Sequence, residues 1–403
     1  MEEQALSDVR VLDLTWYIAG PYCTKLLADY GADVIKVEMA GEGDPARKMG
    51  PFFKDEPDPE KSGLFLHLNI NKKGITLNLK SRNGKKIFEE MVKDADVLVE
   101  SFSPGVMERL GLSFEALMEI NPRLVMTSIS NFGQTGPYRD YKSSDTITFA
   151  MGGAMNFTGT PDRSPVAVGR NVKMYEGGWL AAVATLGALY GAGEDGMGEH
   201  IDLSLMEGQL GSVDRRNACL LTYAYTGFTT PRKDLSANRM FIFPSGFLPC
   251  KDGWLMIICT PTMWPRLGPA LGKPDLMEDP RFQNVFDLTY ASDMDGIVLE
   301  WLLERTKQQA AEEMQAAGIA VTPVNSPEDA VLDRHFRERG FWIEIDHPVT
   351  DRLTYPGAPV DMSDGGFKVR MPAPLLGEHN TEVYGQLGYT GKDLATLRET
   401  GAI

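Results

Sequence analysis

Three stretches of this acidic chain gather cations where a small anion could be held. NINKKGITLNLKSRNGKK (69–86) surrounds a β-prone run with Lys and Arg, Lys72 among them. ESFSPGVMERLGL (100–112) sets Ser101 and Phe102 just past an apolar strand, with Arg109 one to two helical turns further on. TGPYRDYKSSD (135–145) adds Arg139 and Lys142 after another strand end. A guanidinium is a planar fork that can hold two oxygens at once, so an arginine in such a place suits a phosphate. The first cluster taken singly also reads as a solvated strand edge. Three such clusters at successive strand ends point to a bound anionic small molecule.

Other chemistries lack their signatures. Five histidines are scattered without HxxxH or HExxH spacing, so no metal centre is expected. Four cysteines, Cys23, Cys219, Cys250 and Cys259, show no CxxC spacing and fit buried thiols in a reducing compartment. Neither a GxSxG elbow nor a P-loop is present, and the loop after the first strand, TWYIAGPY, contains no GxGxxG. A nicotinamide-dinucleotide site is therefore disfavoured. The net charge of −16 opposes non-specific nucleic-acid binding, which needs a large basic face. No uninterrupted apolar run reaches the roughly 18 residues that cross a bilayer, and MEEQALSDVR has no signal-peptide pattern. The expectation is a cytoplasmic protein without membrane or nucleic-acid partners.

The elements that must carry these residues alternate along the first half. VRVLDL (9–14), ADVIKVE (32–38), ITLNL (75–79), DVLVES (96–101) and LVMTSIS (124–130) read as strands. PYCTKLLADYG (21–31), GKKIFEEMVKDA (84–95) and SFEALMEINP (113–122) between them read as helices. Such alternation predicts an α/β fold with a doubly wound parallel sheet. GGWLAAVATLGALYGA (177–192) reads as a buried scaffold helix of small residues. From MFIFPSGFLPCKDGWLMIIC (240–259) the texture changes to short β runs split by turns, which marks a second, smaller α+β domain over 225–325. The chain's 403 residues exceed what a single core usually supports. Residues 1–224 then form the first part of a large domain, with 326–403 as linker and tail.

The stretches VRVLDLTWYIAGPYCTKLLADYGADVIKVE, NKKGITLNLKSRNGKKIFEEMVKDADVLVESFSPGVMERLGL, NFGQTGPYRD, GMGEHIDLSLME and APLLGEHNTEVYGQLGY resemble the recurring motifs of the class III CoA-transferases, the family of formyl-CoA transferase and carnitine CoA-transferase. The resemblance spans nearly the whole chain. It implies a large domain built from the N-terminal half and the C-terminal tail, a smaller inserted domain, and two subunits interlocked as a dimer. It implies coenzyme A or acyl-CoA as substrate, with no tightly bound cofactor. The positions matching the family's CoA contacts are Ile18, Ala19, Lys72, Ser101, Phe102, Arg109 and Lys142.

The family's chemistry uses an aspartate that attacks the acyl-CoA thioester and forms a mixed anhydride. Counting back without gaps from the small-residue helix, the resemblance puts Met174 at that aspartate's position. A thioether cannot form the anhydride. The nearest substitute, Glu176, lies two residues on, which rotates a helical side chain by roughly 200° or moves it roughly 7 Å along a strand. The leading expectation is a subunit of a heterodimeric or heterotetrameric CoA-transferase whose paralogous partner bears the aspartate. Among such pairs the resemblance points first to the enzyme acting on benzylsuccinate in anaerobic aromatic degradation. The alternatives are a homodimer using Glu176, and a CoA-binding protein without turnover. A racemase is disfavoured, because Arg170, Asn171 and Met174 surround the expected site without a histidine. Trp16, Tyr17 and Tyr175 read either as an aromatic acyl pocket or as core.

Overall fold

Runs such as RVLDL and DVIKVE are short, apolar and β-branched, and in the computed structural model they pleat rather than coil. The structure describes residues 4–169, 171–210, 215–229, 232 and 242–403. Six strands, β1 (Arg10–Leu14), β2 (Asp33–Glu38), β3 (Lys72–Thr76), β4 (Val97–Glu100), β5 (Val125–Ser130) and β6 (His200–Ser204), form one sheet in the order β3-β2-β1-β4-β5-β6. Every pairing within it is parallel. The strand order reverses direction between β1 and β4. The predicted doubly wound sheet is therefore observed.

The described helices that the N-terminal part of the chain adds to this sheet's unit are α1 (Ala19–Asp29), α2 (Gly63–Leu68), α3 (Arg82–Val92), α4 (Val106–Arg109), α5 (Phe114–Ile120), α6 (Asp145–Met151), α7 (Val172–Asp195), α8 (Leu205–Leu210) and α9 (Arg215–Thr226). Side chains alternate across each strand, so the sheet feeds two cores. Leu12, Leu14, Ile35, Leu98 and Met126 pack with Ile87 and Phe88 of α3. Val11, Val34, Val97, Val99 and Val125 pack instead with Cys23 and Leu27 of α1 and with Ala181 and Ala182 of α7. The close approach of α7 explains its glycines. A Cβ on Gly178 would lie 2.5 Å from the carbonyl oxygen of Ala19, and one on Gly177 would lie 2.1 Å from Leu205. The opposite side of α7 is not buried: Trp179, Val183, Leu186 and Tyr190 stand exposed at helical spacing. The expected scaffold helix is thus buried on one face only.

One strand is shifted at both ends from the sequence reading. β3 runs Lys72–Thr76 rather than over 75–79. A buried ion pair with Asp13 lets a lysine occupy a strand position that polarity alone assigns to a loop.

The small unit after the first part of the large one comprises 231–339 together with 158–165. Its antiparallel sheet joins β7 (Ser245–Cys250), β8 (Gly253–Ile258) and β9 (Ala320–Pro323) in sequence order. Helices α10 (Trp264–Ala270), α11 (Ala291–Leu303) and α12 (Lys307–Ala316) supply Leu267, Val298, Trp301 and Met314 to its core. Helices α13 (Pro327–Leu332) and α14 (Arg334–Glu338) also belong here, so the boundary expected at 325 falls too early. The reason is visible at α13, where Asp329 pairs with Lys307 of α12 at 2.5 Å.

The tail from Gly340 rejoins the large unit. A hairpin of β10 (Trp342–His347) and β11 (Asp351–Pro356) precedes α15 (Asn380–Gln386) and α16 (Gly391–Glu399). These helices close the edge of the sheet at β3. The Asn380 Oδ1 accepts from the Thr76 N–H at 2.9 Å, and the Tyr384 hydroxyl donates to the Thr76 carbonyl at 2.6 Å. A free strand edge is thereby capped by the other end of the chain.

Candidate functional site

A cavity of about 490 Å³ opens at the carboxyl ends of β1, β4 and β5. It lies at the point where the strand order reverses, which is where doubly wound sheets leave a crevice for ligands. Its walls are the Trp16–Gly20 turn after β1, the Ser101–Pro104 turn after β4, Asn131 after β5, the loop Arg139–Ser143, and Met174 from the first turn of α7.

Buried charge holds the first wall. Asp13, at the end of β1, accepts from the Thr15 N–H at 2.9 Å and from the Thr15 and Thr24 hydroxyls at 2.6 Å each. Lys36 donates to the Thr15 carbonyl at 2.9 Å and pairs with Asp44 at 2.8 Å. Asp44 in turn accepts from the Tyr17 N–H at 3.1 Å. These bonds hold Tyr17 at a φ of 66°, a left-handed backbone that a non-glycine residue adopts only under constraint. Burial disfavours the Asp13 carboxylate, but Lys72 and Lys36 outweigh it and hold the group down at about 2. Burial also draws the Lys72 ammonium down to about 8, with Asp13 opposing. At neutral pH both partners are charged.

Lys72 therefore corrects the sequence expectation. Its Nζ meets Asp13 at 3.0 Å, the Pro21 carbonyl at 2.8 Å, Thr24 at 2.8 Å and Asn69 at 3.0 Å, and the side chain is fully buried. Three ammonium protons already have four acceptors. Lys72 stands behind the cavity wall and does not line it.

The second wall is latched by Glu100. Its Oε2 accepts from the Phe102 N–H at 2.7 Å. The Trp16 N–H donates to Ser101 Oγ at 2.9 Å, and the Trp16 and Phe102 rings meet edge to face at 5.4 Å. The turns after β1 and β4 are thus tied to one another. Burial pushes Glu100 up to about 7; bonds from Ser128 and the Phe102 N–H oppose this, while Glu108 and Asp202 reinforce it. Ser128 also shares a hydrogen bond of 2.9 Å with His200 Nε2. Sequence reasoning passed over Glu100, although a glutamate ending the run DVLV was a visible signal.

Ile18 and Ala19 are buried in the cavity wall, where α1 begins without a side-chain cap. Uncapped N–H groups of a first turn favour negative charge or a polarised carbonyl. Arg109, half-buried Arg139 and exposed Lys142 supply the cations. Met174 lines the cavity and packs its inner side on the core beneath α1 and α7. Glu176 is not among the lining residues. It pairs with Lys173 at 2.5 Å, and that buried ammonium also faces the Phe149 ring at 5.7 Å. Asp145 at the start of α6 faces the first-turn N–H groups of Asn171, Lys173 and Met174. Burial raises its carboxyl above the ordinary value, against these donors and the Lys173 charge.

The structure brings Ile18, Ala19, Ser101, Phe102, Arg109, Lys142 and Met174 to one cavity, and leaves Lys72 and Glu176 outside it. Of the aromatic candidates, Trp16 and Tyr17 line it, whereas Tyr175 packs on Tyr22 with ring centroids 4.9 Å apart. Arg170 lies outside the described residues. Cys23, Cys250 and Cys259 are free and buried; the side chain of Cys219 is not described. Among the described residues no group of three or more His, Cys, Asp or Glu is arranged to hold a metal ion, and no helix is long and apolar enough to cross a membrane.

A doubly wound sheet with a cation-lined crevice at its switch point is the frame of many nucleotide-like ligand sites, and comparison with known proteins narrows the class. Residues 6–380 match the model of CoA-transferase family III. The chain is 34% identical to the succinyl-CoA–D-citramalate CoA-transferase of Chloroflexus aurantiacus, over 98% of this chain and 96% of that protein. It is 33% identical to the succinyl-CoA–L-malate CoA-transferase beta subunit of the same organism, over 99% and 98% of the two chains. The crystal structure of a CAIB/BAIF family protein from Brucella suis superposes with a TM-score of 0.84 at 29% identity, covering 96% of this chain and 100% of that one. The chain belongs to CoA-transferase family III, whose members use CoA thioesters as substrates.

Proposed function

We propose that this chain is a subunit of a CoA-transferase that exchanges coenzyme A between carboxylic acids, binds the CoA thioester in the 490 Å³ cavity, and takes its nucleophilic aspartate from a paralogous partner. The observation that carries the reading is Met174. It lines a cavity with three cations and an uncapped helix start, yet its thioether cannot perform the family's first step. In that step a carboxylate oxygen attacks the thioester carbonyl and the C–S bond breaks, leaving a mixed anhydride and the CoA thiolate. The thiolate then attacks the aspartyl carbonyl and releases the donor acid. The acceptor acid repeats the two attacks in reverse, regenerating the aspartate. Such covalent catalysis divides one acyl transfer into easier steps.

Two further features support a partner. Trp179, Val183, Leu186 and Tyr190 form an exposed apolar stripe on α7, the kind of surface that a subunit contact covers. One close relative is itself named as a beta subunit. An interlocked pair of unlike subunits accommodates both. Succinyl-CoA as donor is in keeping with the named relatives. For the acceptor, benzylsuccinate is the candidate we test first, since Trp16 and Tyr17 offer aromatic surface at the cavity. The competing use of Glu176 as nucleophile has against it the Lys173 pair and a position outside the cavity lining.

The test is CoA exchange between succinyl-CoA and a panel of labelled acids, run on the purified chain, on the chain co-expressed with a paralogue bearing the aspartate, and on Met174→Asp. The expected pattern is no turnover alone, turnover in the pair, and measurable exchange by Met174→Asp. Exchange by the isolated wild-type chain that disappears in Glu176→Ala would overturn the proposal.

A further inference from the structure

Arg139 counts so far only as one of three cations of the cavity, and its surroundings point to a more specific role. It follows β5 and so reaches the cavity from a different strand end than Arg109, which is carried by α4 after β4. Both guanidiniums nonetheless converge on Gly105, a residue with φ of 80°. A Cβ placed there would lie 3.1 Å from Arg109 Nη1 and equally 3.1 Å from Arg139 Nη2. Two cations directed at one point repel each other unless an anion intervenes. Among the described residues neither guanidinium forms an ion pair, and the Arg139 Nε is buried without a hydrogen-bond partner. Glu108 approaches the same point only to 4.0 Å, and Asp140 also lines the cavity.

We propose that Arg139 acts with Arg109 as a two-guanidinium clamp for a phosphate group of the CoA thioester, and that Gly105 is glycine because a side chain would stand between the two forks. This deepens the proposed function and rests on it. Arginine suits the task because each planar fork offers parallel donors to phosphate oxygens. Gly105 also tolerates the left-handed backbone that turns the chain tightly between the two arms. Coenzyme A carries phosphate in two places, the 3′-phosphate and the pyrophosphate bridge, and the clamp fits either.

The experiment is calorimetric titration of the full chain, with its partner where one is required, using coenzyme A and 3′-dephospho-coenzyme A. Arg139→Ala is expected to weaken coenzyme A binding by roughly tenfold to a hundredfold, the scale of a charge-assisted hydrogen bond, with Arg139→Lys recovering only part of it. Gly105→Ala, which keeps both arginines but separates them, is expected to weaken binding as well. If the wild type discriminates against the dephospho compound and Arg139→Ala does not, the clamp holds the 3′-phosphate. Equal losses for both ligands assign it to the pyrophosphate. Thermal melting of each variant separates lost binding from lost fold. Unchanged coenzyme A affinity in Arg139→Ala, with the wild type binding normally, overturns the clamp alone. Failure of the wild-type assembly to bind coenzyme A at all overturns the underlying reading together with it.

Discussion

Replacing Glu100 by glutamine isolates the cost of holding a carboxyl group beneath the turn that walls the cavity. Burial raises this group from 4.5 to about 7. Folding therefore takes up a proton between these values, because the unfolded chain ionises at the lower one. The wild type has its full stability below the unfolded value and loses it as pH rises through the folded one. At 1.36 kcal/mol per unit, the penalty at pH 8 is about 3 kcal/mol. Glutamine can keep the acceptor for the Phe102 N–H, 2.7 Å away in the wild type, but cannot ionise. Any constant offset from its amide, including a poorer fit to Ser128, cancels when the difference between the two proteins is followed against pH. Urea unfolding of both, from about pH 4 to 8, should show Glu100→Gln gaining on the wild type by about 3 kcal/mol across that window. A difference that stays flat would refute the argument that Glu100 is protonated in the folded chain near neutrality.

Two further perturbations test how the cavity is built. Lys72→Met should cost about 3–5 kcal/mol at pH 7, because it leaves the buried Asp13 carboxylate without its main counter-charge; unfolding curves measure this. Unchanged stability with lost coenzyme A binding would return Lys72 to the role of ligand contact. Gly178→Ala should destabilise by about 1–3 kcal/mol, since its Cβ would meet the Ala19 carbonyl at 2.5 Å. Relief of that clash must move the start of α1, so weaker coenzyme A binding should accompany the lower stability in the same preparation.

Much of the fold was legible because its signals are local. A strand is recognised from a few residues, as in RVLDL, and a helix end from Pro and Gly, so the alternation of β1 through β5 could be read directly. The domain limits were less legible. Residues 158–165 and the helices after 325 join the small unit through contacts such as Lys307 with Asp329, which no composition shift announces. The same division runs through the site. Ser101, Phe102 and Arg109 could be placed at a strand end from their order alone, and the strand end is where the cavity lies. Arg139 was visible as a charge, but its convergence with Arg109 depends on two loops meeting over Gly105.

Lys72 and Met174 mark the limit from both sides. As residue types, both were set by the sequence: a thioether cannot become a nucleophilic carboxylate in any fold, so what Met174 is unable to do is fixed before the chain folds. Lys72 had no such certainty, because an ammonium serves a ligand or a buried carboxylate equally well. Its partner Asp13 lies 59 residues away, and only the pairing of β3 beside β2 and β1 brings the two together in a space without water. Chemical capacity belongs to the side chain and is local, whereas burial and partnership arise from contacts between distant segments and exist only once the chain has folded.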